Sequence, residues 1–189
     1  SALIFLVCEN NSSLTNLDLS DCSTLTRVYC IANDSLSNLD LSNCASLKIL
    51  RCYETSLTNL DLSDCTSLTG VILHHNNNLA SLNVNNCVAL DTLYCSFNAL
   101  TILDLSDCIA LEYLSCRNEP LTDINVSGAN ALKYFKCQDN SLTTLNLSKN
   151  PALKEINCSN NLLECLNVKN GNKISLTKLE AFNNYSLLC

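Results

Sequence analysis

Residues 57–78 read LTNLDLSDCTSLTGVILHHNNN, and this stretch contains the pattern that decides the fold. It divides into two halves, which begin at Leu57 and Leu68. Three positions after each leading leucine comes a second large apolar residue, Leu60 or Val71, and a third follows two positions further on. Polar and small residues separate them, and such alternation is typical of a short strand that buries one face.

The same half recurs along the whole chain. Half-repeats are ten or eleven residues long, except for a last step of thirteen, and their leading leucines are Leu3, Leu14, Leu25, Leu36, Leu47, Leu57, Leu68, Leu79, Leu90, Leu100, Leu111, Leu121, Leu132, Leu142, Leu153, Leu163 and Leu176. We number the half-repeats from Leu3. Five positions after the leading leucine, odd half-repeats mostly have cysteine and even ones have leucine or valine. The repeat is therefore a pair of halves, and a period of this length predicts a solenoid of stacked coils.

A second alternation lies eight positions after each leading leucine. The even half-repeats have cysteine there as far as Cys108, whereas Thr55 and Glu119 interrupt an odd series of asparagines, namely Asn11, Asn33, Asn76, Asn98, Asn140, Asn161 and Asn184. A turning backbone leaves N–H and C=O groups without sheet partners, and an inward amide can bond to both kinds of group. We therefore expect an asparagine ladder along the odd turns, with the smaller cysteine in the same slot of the even turns.

The pattern Leu-x-x-Leu-x-Leu-x-x-Asn/Cys-x-Leu resembles the leucine-rich repeat signature and runs through nearly all 189 residues. The paired form, as in residues 57–78 and 132–152, resembles the short 21-residue bacterial class sometimes called IRREKO. Repeats of that class are similar to those in secreted surface proteins of Bacteroidetes-type bacteria and spirochaetes. The resemblance implies a right-handed solenoid with a parallel sheet and a role in binding.

We therefore expect an all-β-rich solenoid, a right-handed leucine-rich repeat coil with short parallel strands on one or two faces and essentially no α-helix. Residues 1–189 are expected to form a single domain of about 8.5 coils, in which residues 163–189 form an irregular C-terminal coil. Neither end has a polar cap, which indicates a segment of a larger protein or, alternatively, a complete chain whose ends are protected by oligomerisation.

Composition excludes several classes of function. The net charge of −7 argues against a nucleic-acid partner, which needs clustered Lys and Arg. No apolar run reaches the roughly 20 residues of a membrane span, so we expect no membrane insertion. No convergent acid, base and nucleophile is visible, so we expect neither an enzyme nor a cofactor. The adjacent His74 and His75 are expected to point apart and not to form a metal site.

The fourteen cysteines fall into two groups. Twelve lie in the two inward series, where their side chains point the same way, which suits buried free thiols better than disulfide geometry. Cys165 and Cys189 lie outside both series. They are a candidate disulfide that would fix the C-terminal coil in an oxidising compartment, and the alternative is two unpaired thiols.

The outward residues distinguish two faces. The even half-repeats repeat Asp or Asn with Thr and Ser, which are expected to tie the turns, although a calcium ladder or an ice-binding plane is the functional alternative. The odd half-repeats vary from coil to coil, as a recognition surface does, and they contain Tyr and Arg, which are enriched in interfaces. Ordinary strand-favouring surface residues are the alternative. The candidate binding face comprises Arg27, Tyr29, Arg51, Ile72, Tyr94, Tyr113, Tyr134 and Lys136.

These observations favour an extracellular or cell-surface leucine-rich repeat module, secreted or displayed, that binds a protein or glycan in recognition or adhesion. A structural spacer or fibre-forming unit, whose copies associate end to end through uncapped ends, is the first alternative. An ice-binding surface protein is the second alternative.

Overall fold

The computed structural model describes residues 3–169 and 176–188. In these ranges the chain forms no helix, and every strand has three residues. The strands are β1 (Phe5–Val7), β2 (Asn16–Asp18), β3 (Arg27–Tyr29), β4 (Asn38–Asp40), β5 (Ile49–Arg51), β6 (Asn59–Asp61), β7 (Gly70–Ile72), β8 (Ser81–Asn83), β9 (Thr92–Tyr94), β10 (Ile102–Asp104), β11 (Tyr113–Ser115), β12 (Asp123–Asn125), β13 (Tyr134–Lys136), β14 (Thr144–Asn146), β15 (Glu155–Asn157), β16 (Cys165–Asn167) and β17 (Lys178–Glu180).

The strands lie on two sides of a solenoid. All odd-numbered strands pair in parallel, in chain order from β1 to β17, and form one nine-stranded sheet, which we call the odd sheet. The even-numbered strands form four two-stranded parallel sheets, β2–β4, β6–β8, β10–β12 and β14–β16, which together we call the even side. The predicted β-solenoid with short parallel strands is thus confirmed.

The leading leucines fill the interior. From Leu25 to Leu163 each of them is at most 2% exposed, as the inward residue of a half-repeat must be. The central residue of each strand from β3 to β15 is buried as well, and Phe135 is the largest of these side chains. Burying one such aliphatic side chain contributes roughly 1.5–3 kcal/mol, so stacking the coils supplies the main stabilising term.

The asparagine ladder is present and performs the predicted role. Asn76 donates from Nδ2 to the carbonyl oxygens of Cys52 and Leu73, both at 2.8 Å. Its Oδ1 accepts the backbone N–H of Thr55 at 2.9 Å, and its own N–H donates to Oδ1 of Asn98 at 2.9 Å. Each buried amide therefore satisfies backbone groups of its own coil and of the preceding one, which fixes the register between coils.

Ten of the twelve inward cysteines are buried, and Cys8 and Cys22 in the first coil are half-buried. On the even side the thiol of Cys87 lies 3.3 Å from the carbonyl oxygen of Leu62, to which it donates. Asn150 uses its amide in the same way further along the chain, with Nδ2 2.8 Å from the carbonyl oxygen of Val126. The cysteine and the asparagine thus satisfy the same kind of carbonyl group.

The turns have a feature that the sequence pattern did not indicate. Seven positions after the leading leucine, the backbone often enters the left-handed region, at Asn10, Asp21, Ala32, Asn43, Glu54, His75, Asn86, Phe97, Asn118, Asp139, Asn160 and Asn183. Asn and Asp tolerate this conformation better than other residues with a side chain, which explains why they predominate. The same left-handed conformation is adopted by four residues of types that tolerate it less well, namely Ala32, Glu54, His75 and Phe97.

The repeat continues into the C-terminal segment. Residues 163–189, which we expected to be irregular, contain β16, which pairs with β14, and β17, which pairs with β15. Residues 170–175 and 189 lie outside the described part of the chain.

Candidate functional site

An open groove of about 670 Å³ lies on the odd sheet between β7 and β15. Five of the candidate binding residues line it, together with residues of the turns that follow the strands. The lining comprises Ile72, His74, His75, Tyr94, Ser96, Phe97, Tyr113, Leu114, Ser115, Arg117, Tyr134, Lys136 and Glu155.

The groove exists because a small residue occupies the middle of the sheet. Ser115 pairs in register with Tyr94 on one side and Lys136 on the other, and both neighbours have much longer side chains. Its hydroxyl lies 2.9 Å from that of Ser96, and Ser96 Oγ also accepts the backbone N–H of Arg117 at 3.2 Å. The floor is therefore made of small polar groups that already have partners within the protein.

A pair of tyrosines forms one wall. Tyr113 and Tyr134 are in register on β11 and β13, with ring centroids 4.9 Å apart and planes inclined by 10°. Beside them Lys133 Nζ lies 2.7 Å from Oε1 of Glu112, an ion pair that also raises the pKa of Lys133 through its hydrogen bond. The two rings stack on each other, so the wall is formed by contacts within the chain itself.

A second aromatic stack follows the turns. The rings of His75 and Phe97 are stacked at 4.6 Å, and the guanidinium of Arg117 lies 5.3 Å from the centroid of Phe97. On the neighbouring position His74 stacks on Tyr53, also at 4.6 Å. These residues come from successive coils, so equivalent side chains pile up along the solenoid axis.

The histidines do not point apart as we expected. Their ring centroids are 5.5 Å apart in an edge-to-face arrangement, and both rings line the groove. The reason is the left-handed backbone of His75, whose φ of 59° redirects its side chain. Burial, followed by the charge of His75, lowers the pKa of His74, and Glu54 opposes this effect. Within the described residues no group of three or more His, Cys, Asp or Glu could hold a metal ion.

The remaining candidate residues form a separate cluster near the first coil. The rings of Phe5 and Tyr29 meet edge to face at 4.9 Å. Arg27 lies over the ring of Phe5 at 5.0 Å, and Arg51 lies over the ring of Tyr29 at 4.9 Å. The candidate face thus divides into this cluster and the groove, which contains Ile72, Tyr94, Tyr113, Tyr134 and Lys136.

The two sides of the solenoid differ in charge. Strands of the odd sheet have four cationic residues (Arg27, Arg51, Lys136 and Lys178) and two acidic ones (Glu155 and Glu180). Strands of the even side have no cationic residue and five acidic ones, namely Asp18, Asp40, Asp61, Asp104 and Asp123. Although the whole chain is acidic, the sheet that contains the groove has a cationic excess.

The polar side chains of the even side are occupied with the turns, as we predicted. The Ser20 hydroxyl donates to Oδ1 of Asp18 at 2.7 Å, and this bond, with the backbone N–H of Ser20, lowers the pKa of Asp18. The Thr122 hydroxyl donates to the carbonyl oxygen of Thr101 in the preceding coil at 3.2 Å. These groups therefore stabilise the repeat by fixing its turns.

Two further sequence predictions bear on localisation. Cys165 is exposed at the start of β16, and Cys189 lies outside the described residues, so their pairing stays a prediction. No helix among the described residues could cross a membrane.

Comparison with solved structures gives several matches of the same architecture. The functional domain of InlJ from Listeria monocytogenes, which includes a cysteine ladder, matches with a TM-score of 0.68 and 31% identity, over 98% of this chain and 45% of that chain. YopM from Yersinia enterocolitica matches with a TM-score of 0.66 and 23% identity, over 92% of this chain and 39% of that chain. An internalin, inlF, from Listeria monocytogenes matches with a TM-score of 0.55 and 21% identity, over 89% and 60%.

The chain spans less than two thirds of the length of each of these proteins. No family model matches the sequence, and no curated protein matches it. The repeat signature, the parallel two-sided coil and the shared fold nevertheless agree. The chain therefore has the fold of these leucine-rich repeat structures, a parallel β-solenoid, and its interior contains stacked cysteines.

Proposed function

We propose that this chain is a binding module that recognises a protein partner through the odd sheet, with the groove around Ser115 as the centre of the contact. In this proposal the chain belongs to a secreted or cell-surface protein of the short bacterial leucine-rich repeat class. The observation that carries the proposal is the groove itself, in which exposed aromatic and cationic side chains surround a floor of small residues.

The composition of this surface suits binding. Tyr94 and Tyr113 are 40% and 39% exposed, although tyrosine side chains gain most when they are buried. Tryptophan, tyrosine and arginine are enriched at the energetically important positions of protein interfaces. Because the surrounding rings are already stacked, little side-chain entropy is lost when a partner covers them.

The experiment compares two variants with five alanine substitutions each, one on the odd sheet and the other on the even side. One replaces Tyr29, Arg51, Tyr94, Tyr113 and Tyr134 by alanine. The control replaces five exposed even-side residues by alanine, namely Asn59, Ser81, Thr101, Ile102 and Thr144. Random linear peptides displayed on phage are selected against the unaltered protein, and the affinities of the selected peptides for both variants are then measured.

We expect the odd-sheet variant to lose most binding, with dissociation constants raised by about a hundredfold or more, and the even-side variant to retain it. Circular dichroism and thermal unfolding establish that both variants are folded. Peptides that bind the odd-sheet variant as well as the unaltered protein would show that the binding surface lies elsewhere.

A further inference from the structure

We infer that the groove takes an extended acidic segment of a protein partner, whose carboxylates meet Lys136 and Arg117. This inference rests on the proposed function and specifies the chemistry of the ligand. It follows from three observations: the groove cations that have no carboxylate partner, the orientation of the aromatic rings and the length of the groove.

The cations of the groove have no carboxylate partner. Among residues 3–169 and 176–188, ion pairs join only Lys133 to Glu112 and Lys178 to Glu180. Lys136 and Arg117 are exposed and line the groove without such a partner. Glu155, at the β15 end, is the acidic residue of the lining. Two cations against one acid, on the cationic side of an acidic chain, favour an anionic ligand by complementarity.

The aromatic rings reinforce this preference. Phe97 has His75 against it at 4.6 Å and Arg117 over it at 5.3 Å, and Tyr113 stacks on Tyr134. Rings that stack along the axis offer a ligand mainly their edges and, for tyrosine, their hydroxyls. Ring edges carry the positive end of the aromatic quadrupole, so they attract carboxylates and carbonyl oxygens. Sugar rings would instead need open ring faces, and stacking covers much of these faces here.

The length of the groove suits an extended peptide. It runs across five strands of the odd sheet, β7 to β15, which at about 4.8 Å per strand corresponds to about 19 Å. An extended chain advances about 3.3 Å per residue, so about six residues fill this distance. A protein segment with acidic residues at alternate positions could place each carboxylate on the same side, towards the cations.

The test uses a biotinylated eight-residue peptide of alternating glutamate and serine, with an alternating glutamine and serine peptide as the neutral match. Binding is measured by biolayer interferometry to the unaltered protein, to the double variant Arg117→Glu/Lys136→Glu and to the control Lys149→Glu/Lys169→Glu. The control changes net charge equally, but both of its lysines lie beyond the odd sheet and are exposed. A heparin-derived hexasaccharide serves as the acidic glycan probe.

We expect the glutamate peptide to bind at least about tenfold more tightly than the glutamine peptide. The groove variant should weaken this binding by about tenfold or more, whereas the control should change it by less than about twofold. Equal binding of the two peptides, or no effect of Arg117→Glu/Lys136→Glu, would overturn the inference. Binding of the hexasaccharide in preference to the peptide would overturn it in favour of an acidic glycan.

These experiments distinguish a failure of the acidic-ligand inference from a failure of the proposed binding function. If display-selected peptides lose binding to the five-alanine odd-sheet variant but are neither acidic nor affected by Arg117→Glu/Lys136→Glu, the binding module stands and the acidic ligand is wrong. If selected peptides ignore the odd sheet altogether, both proposals fail.

Discussion

The backbone N–H of Asn98 donates to Oε1 of Glu119 across 2.7 Å, in a position where most coils use an asparagine. The other carboxylate oxygen accepts the N–H of Leu100 at 2.9 Å, so one buried acid satisfies two backbone groups. Burial raises the pKa of Glu119 to about 7, although the bonds from Leu100 and Asn98 act in the opposite direction. An ionisable group has thus replaced a neutral one inside the ladder, bonded to the residue that follows Phe97.

This exchange makes stability depend on pH. The pKa of Glu119 is about 7 in the folded chain against an ordinary value of 4.5, so between these values unfolding releases a proton. The contribution of Glu119 to the free energy of unfolding is therefore greatest below pH 4.5. It declines as the pH rises to about 7 and is constant above that pH. We expect the free energy of unfolding to fall by about 1–3 kcal/mol across this window relative to Glu119→Gln.

Urea unfolding of both proteins from pH 4.5 to 8 measures this difference. The pH-dependent contributions of the acidic residues of the even side cancel in the difference, because both proteins contain these residues. Parallel pH profiles would show that Glu119 has an ordinary pKa in the folded chain.

The left-handed turn predicts a stabilising substitution. Ala32 has a φ of 54°, which costs a residue with an unassisted Cβ roughly 1–2 kcal/mol, whereas Asn occupies this place in several other coils. We expect Ala32→Asn to raise the free energy of unfolding by about 0.5–1 kcal/mol. The matched control is Ala45→Asn, because Ala45 is exposed and lies outside the left-handed positions. An equal effect of both substitutions would contradict the argument from backbone conformation.

Cys87 and Cys137 should respond differently to substitution by serine. Cys87 already donates to the carbonyl oxygen of Leu62, and a hydroxyl can do the same, so Cys87→Ser should cost less than about 1 kcal/mol. Cys137 is fully buried, and within the described part of the chain its thiol has no hydrogen-bond acceptor. Cys137→Ser would bury an unpaired hydroxyl and should cost about 1–3 kcal/mol. Urea unfolding compares the variants, and the reverse order would contradict the assigned bond.

Buried thiols should also be chemically inert. Burial, with a smaller effect from neighbouring thiols and carboxylates, raises the pKa of Cys65 and Cys108 to about 12, and the thiolate is the reactive form. In the native protein at pH 8, iodoacetamide should label the half-buried Cys22 at least about tenfold faster than Cys65. Peptide mass spectrometry over time measures both rates, and unfolding in urea should make them similar. Comparable native rates would place Cys65 outside the interior.

Periodicity was sufficient to predict the fold, because every half-repeat presents its leucines with the same spacing and only a stacked coil buries them all. The asparagine ladder followed from the requirement that turning backbone groups find partners, and Asn76 satisfies them as expected. The sequence also singled out the odd sheet as the candidate binding face. Its outward positions vary from coil to coil, and tyrosine occupies three of them, at Tyr94, Tyr113 and Tyr134.

The groove itself could not be predicted in this way. Its depth depends on the short side chain of Ser115. The sequence alone does not show that Ser115 lies between the longer side chains of Tyr94 and Lys136. The contributions of His75 and Phe97 depend on the left-handed conformation seven positions after the leucine, which places turn residues beside the sheet. The signal that could have found them is an aromatic residue at a position where most coils have Asn or Asp.

The most direct measurement of the central claim is hydrogen–deuterium exchange of the protein with and without a display-selected peptide. We expect slower exchange in segments that contain β9, β11 and β13 and in the turn around Phe97, with no change in β6, β8 and β10. Protection confined to the even side, or spread equally over both sides, would contradict the claim that the odd sheet is the binding surface.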